Sequence, residues 1–404
     1  MNRDQKLVIT IAVLASFVSF LDGTIVNVAL PAIADELGGG ITTQQWVVDA
    51  YLITLGSLIL VAGSVSDVYG RILVMRIGLI AFGIASIAIA AAPSPDLLIV
   101  ARGFQGIAGA LLVPSSLALI TSNFRGAAQG KAIGLWTAMT SGATIIGPLL
   151  GGLFVDLLSW RFAFLINVLP IAVTLYLLVV LGHKDTRRPG VSIDFAGAVL
   201  CTIGLGGPVY ALIEQRNLGW THPAIYLSLG LGLIAFAGFL VRQRFAKDPI
   251  MPLSLFTIRN FWTGNIATAF IYGALSLNFF ALAVYLQRDD GPNLSATLAG
   301  VAALPVTIIM VLLSSRVGAL SGRFGPRLFM TIGPVVMGVG ALLLLTVSQD
   351  FNYWWQVLPG VVLFGFGLTI TVSPLTSAIL GAIDTERSGI ASAVNNAVSR
   401  VAGL

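Results

Sequence analysis

Long apolar segments separated by short polar ones recur along nearly the whole 404-residue chain. A helix needs about 20 apolar residues to cross the hydrocarbon layer of a bilayer. Segments of that length predict twelve membrane-spanning helices, at residues 7–30, 45–65, 72–92, 97–119, 131–155, 161–181, 194–213, 223–241, 262–286, 295–317, 328–347 and 355–380. A helix satisfies its own backbone hydrogen bonds in lipid. The pattern therefore predicts an all-α, polytopic membrane protein.

Lysine and arginine are distributed unevenly between the two sides that these spans define. With the N-terminus in the cytoplasm, seventeen of the 22 lie on the cytoplasmic side, and Arg161, Arg216 and Arg288 lie outside. The remaining two, Arg102 and Arg400, fall in helical segments. Cytoplasmic loops carry an excess of basic residues. We therefore predict a multi-pass protein of the cell (inner) membrane with a cytoplasmic N-terminus.

The composition narrows the class of protein further. Hydrophobic residues make up 57% of the chain and charged residues 10%, whereas soluble proteins carry about 25% charged residues. The net charge of +5 lies in short loops, so it reflects topology and not a nucleic-acid partner. The single cysteine excludes an intramolecular disulfide, and the two histidines lie in loops without a metal-binding pattern. No ATP-binding loop or catalytic triad pattern occurs, so we predict neither an enzyme nor a cofactor.

One segment is repeated in the two halves of the chain. Gly63 to Arg71 follows the second predicted span, and Gly318 to Arg327 follows the tenth. Both are interpreted as glycine-led basic turns on the cytoplasmic side, in which glycine lets helix ends approach closely. Gly70 and Gly325 would permit a tight turn.

These residues and three other motifs resemble the major facilitator superfamily. Gly63 to Arg71 resembles its signature loop, and Leu98 to Ala110, with Arg102, Gln105 and Gly106, resembles its fourth-span motif. Gly142-x₄-Gly147-Pro148-x₂-Gly151-Gly152 resembles the fifth-span motif of antiporters. Leu21 to Pro31 and Trp160 to Asn167 are similar to motifs of the drug:proton antiporters.

The spacing of the repeat predicts the arrangement of the spans. A twelve-span facilitator would repeat its signature loop six spans later, but here the loop returns after eight. We therefore expect an N-terminal six-helix bundle (1–190), two inserted helices (191–245) and a C-terminal bundle (246–404), as in the family's fourteen-span branch. Residues 387–404 resemble the lead into the fifth span at residues 125–141. The second bundle is therefore expected to be incomplete from its fifth helix onward.

Ionisable residues within a span are costly and are functional candidates. Asp22 lies about 22 Å along the first span at about 1.5 Å per residue, and Asp49 lies near the outer end of the second. We predict that Asp22 is the main proton-coupling acid and that Asp49 is a second protonation or cation-recognition site. Kinking or capping for Asp22, and an interfacial position for Asp49, are the alternatives. The resemblance implies that Arg102 modulates proton transfer beside the acid; otherwise it is an interfacial anchor.

Two further groups are expected to act in conformational change. Gly63, Asp67, Gly70 and Arg71 would form a cytoplasmic gate, in which the acid and the arginine pair as a latch; a solvated turn is the alternative. The antiporter motif, with Gly142, Gly147, Pro148, Gly151 and Gly152, would kink the fifth helix and admit a close neighbour, or serve packing alone.

The leading functional interpretation is proton-driven export of amphipathic small molecules by alternating access. The partners expected are a lipophilic or cationic substrate, protons and the lipid bilayer, with the chain acting as a monomer without nucleic acid. The energy source is the proton-motive force. Export of a single metabolite or antibiotic on the same fold is the alternative; a channel or membrane enzyme is disfavoured, because neither a polar pore stripe nor a catalytic constellation occurs.

Overall fold

A computed structural model of the chain describes residues 3–124, 126–182, 193–347, 351–383 and 388–404. Helices account for most of these ranges, and no strand occurs within them. Eleven helices in the described residues are long and apolar enough to cross a membrane. The prediction of an all-α, polytopic membrane fold is confirmed. Several basic residues used for the charge count lie outside the described residues: Arg125, Lys184, Arg187, Arg188 and Arg387.

The helices follow the predicted spans in order. Their bounds are α1 (Arg3–Leu37), α2 (Gly40–Tyr69), α3 (Arg71–Ala90), α4 (Pro95–Asn123), α5 (Gly126–Leu157), α6 (Phe162–Leu181), α7 (Phe195–Leu218), α8 (Pro223–Phe245), α9 (Arg259–Leu286), α10 (Ala296–Phe324), α11 (Pro326–Leu343), α12 (Leu358–Leu380) and α13 (Ser388–Val401). Helix α6 is briefly interrupted at Ile166 and Asn167. Helix α5 corresponds to the one predicted span outside the eleven.

Two helix starts show how the sequence sets these boundaries. Ser94 precedes α4, and its hydroxyl accepts a hydrogen bond from the Leu97 amide while Pro95 occupies the first turn. Ser295 accepts a hydrogen bond from Leu298 at the start of α10 in the same way. A serine cap satisfies one of the free amides of the first turn, and proline there loses no helical hydrogen bond.

Helices α1 to α6 pack about one apolar core, and α9 to α13 pack about another. Members of the first core include Ile11, Leu79, Phe82, Leu112 and Ile120. Members of the second include Phe261, Leu286, Val361, Phe364 and Ile379. Helix α1 and helix α4 both run through the first group and contact each other. This contact brings the predicted span acid and the span arginine into one interior.

Helices α7 and α8 pack closely on each other and contact the first group through α2. A Cβ atom on Gly207 of α7 would lie 2.4 Å from the Ser228 carbonyl oxygen and 2.8 Å from Gly232 Cα. Small residues of this kind allow helix backbones to approach within a membrane. The indole N–H of Trp46 on α2 donates to Glu214 of α7 at 2.7 Å.

The helix connections in the repeated basic segments are shorter than the turns that we expected. Gly63 to Tyr69 continues α2, and the connection to α3 consists of Gly70 alone. Gly70 has φ of 109° and Gly325, between α10 and α11, has φ of 82°. Both values lie in the region that favours glycine. One such residue is sufficient to reverse the chain, so the flanking residues remain helical.

Candidate functional site

A fully buried ion pair lies at the centre of the first group of helices. Arg102 Nη1 of α4 donates to Asp22 Oδ2 of α1 at 2.5 Å, and neither side chain is accessible to solvent. The family resemblance implied that Arg102 lies beside the acid, and the structure brings Asp22 and Arg102 into direct contact. A buried charge is tolerated when it is paired and hydrogen-bonded.

Three further polar side chains surround the pair. Gln105 Nε2 and Asn167 Nδ2 each donate to Asp22 Oδ1 at 3.0 Å. Gln105 Nε2 also donates to the hydroxyl of Ser86 at 2.9 Å, and its Oε1 accepts from Arg102 Nη1 at 2.6 Å. We call Asp22, Ser86, Arg102, Gln105 and Asn167 the buried polar cluster. It connects α1, α3, α4 and α6.

The guanidinium of Arg102 is held on two other sides. Its Nε donates to the Val47 carbonyl oxygen of α2 at 2.8 Å, and its central carbon lies 4.4 Å from the centre of the Tyr51 ring. Its Nη2 is buried without a hydrogen-bond partner among the described residues, as is Asn167 Oδ1. A buried polar atom without a partner costs about 1–3 kcal/mol. The cluster therefore retains one donor and one acceptor for a different arrangement.

The local sequence explains why α4 can present these groups. Arg102 and Gln105 are three residues apart, so they lie on one face of the helix. The next residue, Gly106, packs against α2: a Cβ there would lie 2.4 Å from the Tyr51 carbonyl oxygen. Glycine at this position brings α4 close enough for Arg102 to reach Val47.

Gln105, Asn167 and Ser86 were not predicted as site residues. Gln105 and Asn167 do belong to the motifs that carry the family resemblance, which was the available signal. Ser86 lies in an apolar span without any motif, and only the fold reveals its position. An amide can donate to a carboxylate on another helix only if both helices are suitably rotated about their axes. The prediction of spans gives no information on that rotation.

Asp49 lies apart from this cluster. Its side chain is 8% exposed, and it makes no hydrogen bond or ion pair among the described residues. On α2 it lies between Trp46, which contacts α7, and Ile53, which packs with Val209 and Ile213 of α7. The second predicted acid is therefore buried near α7.

The predicted cytoplasmic gate residues lie around the α2–α3 turn. Arg71 Nη1 donates to the Ala118 carbonyl oxygen of α4 at 3.1 Å. The side chain of Asp67 lies outside the described residues, so the predicted latch to Arg71 stays a prediction. A Cβ on Gly63 would meet none of the described atoms within 4 Å, whereas we expected close packing there.

The glycines of the fifth-span motif bring α5 against two helices. A Cβ on Gly147 would lie 2.1 Å from Thr24 Oγ1 of α1, and one on Gly151 would lie 2.8 Å from the Ile25 carbonyl oxygen. A Cβ on Gly152 would lie 2.4 Å from Thr297 Cα of α10. The predicted close neighbours of α5 are thus α1 and α10.

The motif is uneven in its contacts. The Pro148 carbonyl oxygen lies 2.4 Å from the position of a Cβ on Gly300 of α10, which adds a second close point between α5 and α10. Gly142 faces open space among the described atoms instead. The motif therefore serves helix contact at its C-terminal part and not at Gly142.

One acid that was not predicted joins α5 to α10. Asp156 accepts hydrogen bonds from the backbone amides of Ala296 at 3.0 Å and Thr297 at 2.9 Å. These are the first residues of α10, where free amides and the helix dipole favour an anion. Asp156 therefore caps a helix of the other group, four residues beyond Gly152.

The fold and the cluster define a polytopic helical membrane protein in which one helix group carries a buried ion pair and contacts a second group. Within the described residues, no group of three or more metal-ligating side chains occurs. The Major Facilitator Superfamily profile matches residues 12–404. The chain belongs to this family of membrane transporters, and it is a transporter and not an enzyme.

Relatives and solved structures agree with this membership. The chain is 34% identical over 402 residues to the multidrug resistance protein Stp of Mycobacterium tuberculosis, covering 98% of this chain and 73% of the relative. It is also 34% identical to the methylenomycin A resistance protein of Bacillus subtilis, with 98% and 85% covered. The crystal structure of the peptide transporter POT in complex with sulfate superposes with a TM-score of 0.70 at 15% identity, covering 98% of this chain and 87% of that chain. The last likeness concerns the fold alone.

Proposed function

We propose that this transporter exports amphipathic small molecules from the cell in exchange for protons. The observation that carries the proposal is the fully buried Asp22–Arg102 pair. Relatives named for drug or antibiotic resistance support export of small molecules. A buried acid in a transporter is the kind of group that can bind and release a proton during a transport cycle.

Asp22 would carry the proton, and the guanidinium of Arg102 would compete with that proton for the Asp22 carboxylate. When Asp22 is ionised, it accepts hydrogen bonds from Arg102, Gln105 and Asn167. Protonation removes the negative charge that faces Arg102, whose guanidinium stays positive. The unpaired Nη2 of Arg102 and Oδ1 of Asn167 then favour rearrangement of the cluster. Because the cluster joins four helices, a proton on Asp22 changes how these helices are held together.

The contact between α5 and α10 would be made in one of the two end states of the alternating-access cycle. Gly152, Pro148 and Asp156 bring these helices together near the start of α10. With the N-terminus in the cytoplasm, this contact closes the outer side, and the substrate path opens inward. The turn at Gly70 and Arg71 lies at the opposite end and would close when the transporter faces outward. Proton release to the cytoplasm accompanies the inward-facing state.

The fourteen-span architecture is part of the proposal. In the first group α6 packs between α1 and α3. The corresponding place between α9 and α11 is an apolar groove of about 670 Å³, lined by residues that include Phe270, Leu277, Pro334, Met337 and Phe364. The groove would accept one further apolar helix as the sixth of the second bundle. The unit of transport would be one chain.

The substrate would be a lipophilic molecule, and Asp49 would attract a cationic group on it. The test is proton release from energised everted membrane vesicles on addition of candidate drugs, with rhodamine 123 as the first lipophilic probe. We expect drug-dependent alkalinisation of the vesicle interior, abolished by a protonophore. Efflux that survives the protonophore would contradict proton coupling.

Export of a single antibiotic is the second candidate, because some relatives are named for resistance to one compound. A panel of structurally unrelated drugs separates the two. Proton release with several of them supports broad export, and release with one alone supports the dedicated exporter.

A further inference from the structure

A half-buried arginine of the second helix group lies against the first group. Arg400 is on α13, and its guanidinium carbon lies 4.9 Å from the centre of the Phe20 ring on α1. Its Nη1 lies 4.0 Å from the position of a Cβ on Gly23, the residue after Asp22. Its own Cβ lies 3.7 Å from that position on Gly56 of α2. Both distances are ordinary van der Waals contacts, so the arginine lies against α1 and α2 together.

The Arg400 side chain makes no hydrogen bond or ion pair with another of the described residues, although its backbone carbonyl accepts from the Gly403 amide at 3.1 Å. Asp22 directly precedes Gly23, which Arg400 contacts. The carboxylate oxygens of Asp22, however, already accept hydrogen bonds from Arg102, Gln105 and Asn167. Arg400 contacts the middle of the membrane-spanning helix α1, at Phe20 and Gly23. An unpaired charge at that depth is costly and marks a functional position. The positive charge of Arg400 is therefore available to a group that arrives between the two helix groups.

The surroundings of Arg400 are aromatic. The Phe20 ring meets the Trp136 ring of α5 edge-on, with centroids 6.5 Å apart at 78°. Trp136 is fixed by hydrogen bonds from its indole N–H to the Ser16 hydroxyl at 3.0 Å and the Ala12 carbonyl at 3.2 Å.

We propose that Arg400 and Phe20 form a binding subsite for an anionic, planar substituent of the exported molecule, such as an aromatic carboxylate. This inference rests on the proposed export function and extends its substrate class: besides lipophilic cations attracted by Asp49, the transporter would accept molecules with an anionic substituent at Arg400. A guanidinium binds a carboxylate through two parallel hydrogen bonds. The adjacent rings offer a flat apolar surface to the body of the same molecule. Asp22 and Arg102 neutralise each other, so Arg400 sets the sign of the charge at this place.

The test compares two xanthene dyes of similar shape and opposite charge, fluorescein as the anion and rhodamine 123 as the cation. Proton-driven transport of each dye is measured in everted vesicles that contain the wild-type chain, Arg400→Gln, Arg400→Lys or the control Arg288→Gln. Arg288 is an exposed loop residue paired with Asp290. We expect Arg400→Gln to raise the KM for fluorescein about tenfold or more, as the loss of a charge-assisted hydrogen bond would. The KM of Arg400→Gln for rhodamine 123 should stay within about twofold of the wild-type value. The KM of Arg400→Lys for fluorescein should lie between the values of the wild-type chain and of Arg400→Gln.

A second measurement does not depend on any variant. An aromatic carboxylate should inhibit rhodamine 123 transport by the wild-type chain, and its methyl ester should inhibit much less. Equal loss of both dyes in Arg400→Gln, or equal inhibition by acid and ester, would overturn the subsite and leave the export proposal standing. If the wild-type chain transports neither dye in a proton-driven manner, that result would contradict the export proposal itself.

Discussion

The carboxylate of Asp22 and the guanidinium of Arg102 form a 2.5 Å ion pair in which both side chains are fully buried. Removing one member of such a pair leaves the other charged in an apolar interior, which costs about 3–5 kcal/mol. The pair therefore links the stability of the protein to the proposed transport chemistry.

Arg102→Gln should destabilise the protein by about 3–5 kcal/mol, because Asp22 loses its counter-charge. The double variant Asp22→Asn, Arg102→Gln should lose less than the sum of the two single changes, since neither charge remains unpaired. Thermal unfolding in detergent measures all three. Additive losses would mean that the two residues do not stabilise each other.

The sequence was sufficient to predict the helices and the two members of the ion pair, but not the whole cluster. Hydrophobic length determines where a span lies, and the rise per residue determines the depth of Asp22. The rotation of each helix about its axis depends on packing, as the contact of Gly106 with α2 illustrates. For that reason Ser86 and Asn167 were not assigned to the site, and the pairing of Asp156 with α10 had no sequence signal. Arg400 appeared only as a basic residue in a helical segment.

Gly152→Ala should separate α5 from α10 at the start of α10. The added methyl group would lie 2.4 Å from Thr297 Cα, and overpacking of this kind costs about 1–3 kcal/mol. Spin labels at Leu157→Cys and Leu298→Cys, both exposed positions, in a Cys201→Ser background report the distance between the two helices. We expect a longer-distance population in Gly152→Ala.

Gly142→Ala is the matched control for that experiment, because Gly142 has open space among the described atoms. It should leave the distance distribution unchanged. The same distribution in wild type and Gly152→Ala would show that the close contact does not hold this end together.

Asp194→Ala should loosen the packing of α7 on α8. Asp194 accepts hydrogen bonds from the Gly197 amide at 2.9 Å, from Gln243 Nε2 at 3.0 Å and from Arg242. Loss of this helix cap costs about 0.5–2 kcal/mol. Thermal unfolding in detergent near neutral pH measures the loss, with the exposed loop variant Asp290→Ala as the control.

The contribution of Asp194 should also depend on pH. Burial raises its pKa, but the hydrogen bonds from Arg242, Gly197 and Gln243 outweigh this effect and hold the pKa below its ordinary value of 3.8. A lowered pKa means that the stabilisation is present above 3.8 and is lost as the pH falls through the lower folded-state value. The stability difference between wild type and Asp194→Ala should therefore shrink in acid. A difference that is constant from neutral pH to below 3.8 would show that ionised Asp194 contributes no stability.

The assignment of the proton to Asp22 is tested most directly with purified protein in liposomes, by comparing two modes of rhodamine 123 transport. Asp22→Asn should retain exchange of labelled for unlabelled dye, which needs no net proton movement, and should lose accumulation driven by a pH gradient. Glu36→Gln is the control, because it makes the same acid-to-amide change on the same helix, at a partly exposed ion pair with Arg161. This variant should retain both modes of transport. Gradient-driven accumulation by Asp22→Asn at the wild-type level would contradict the account.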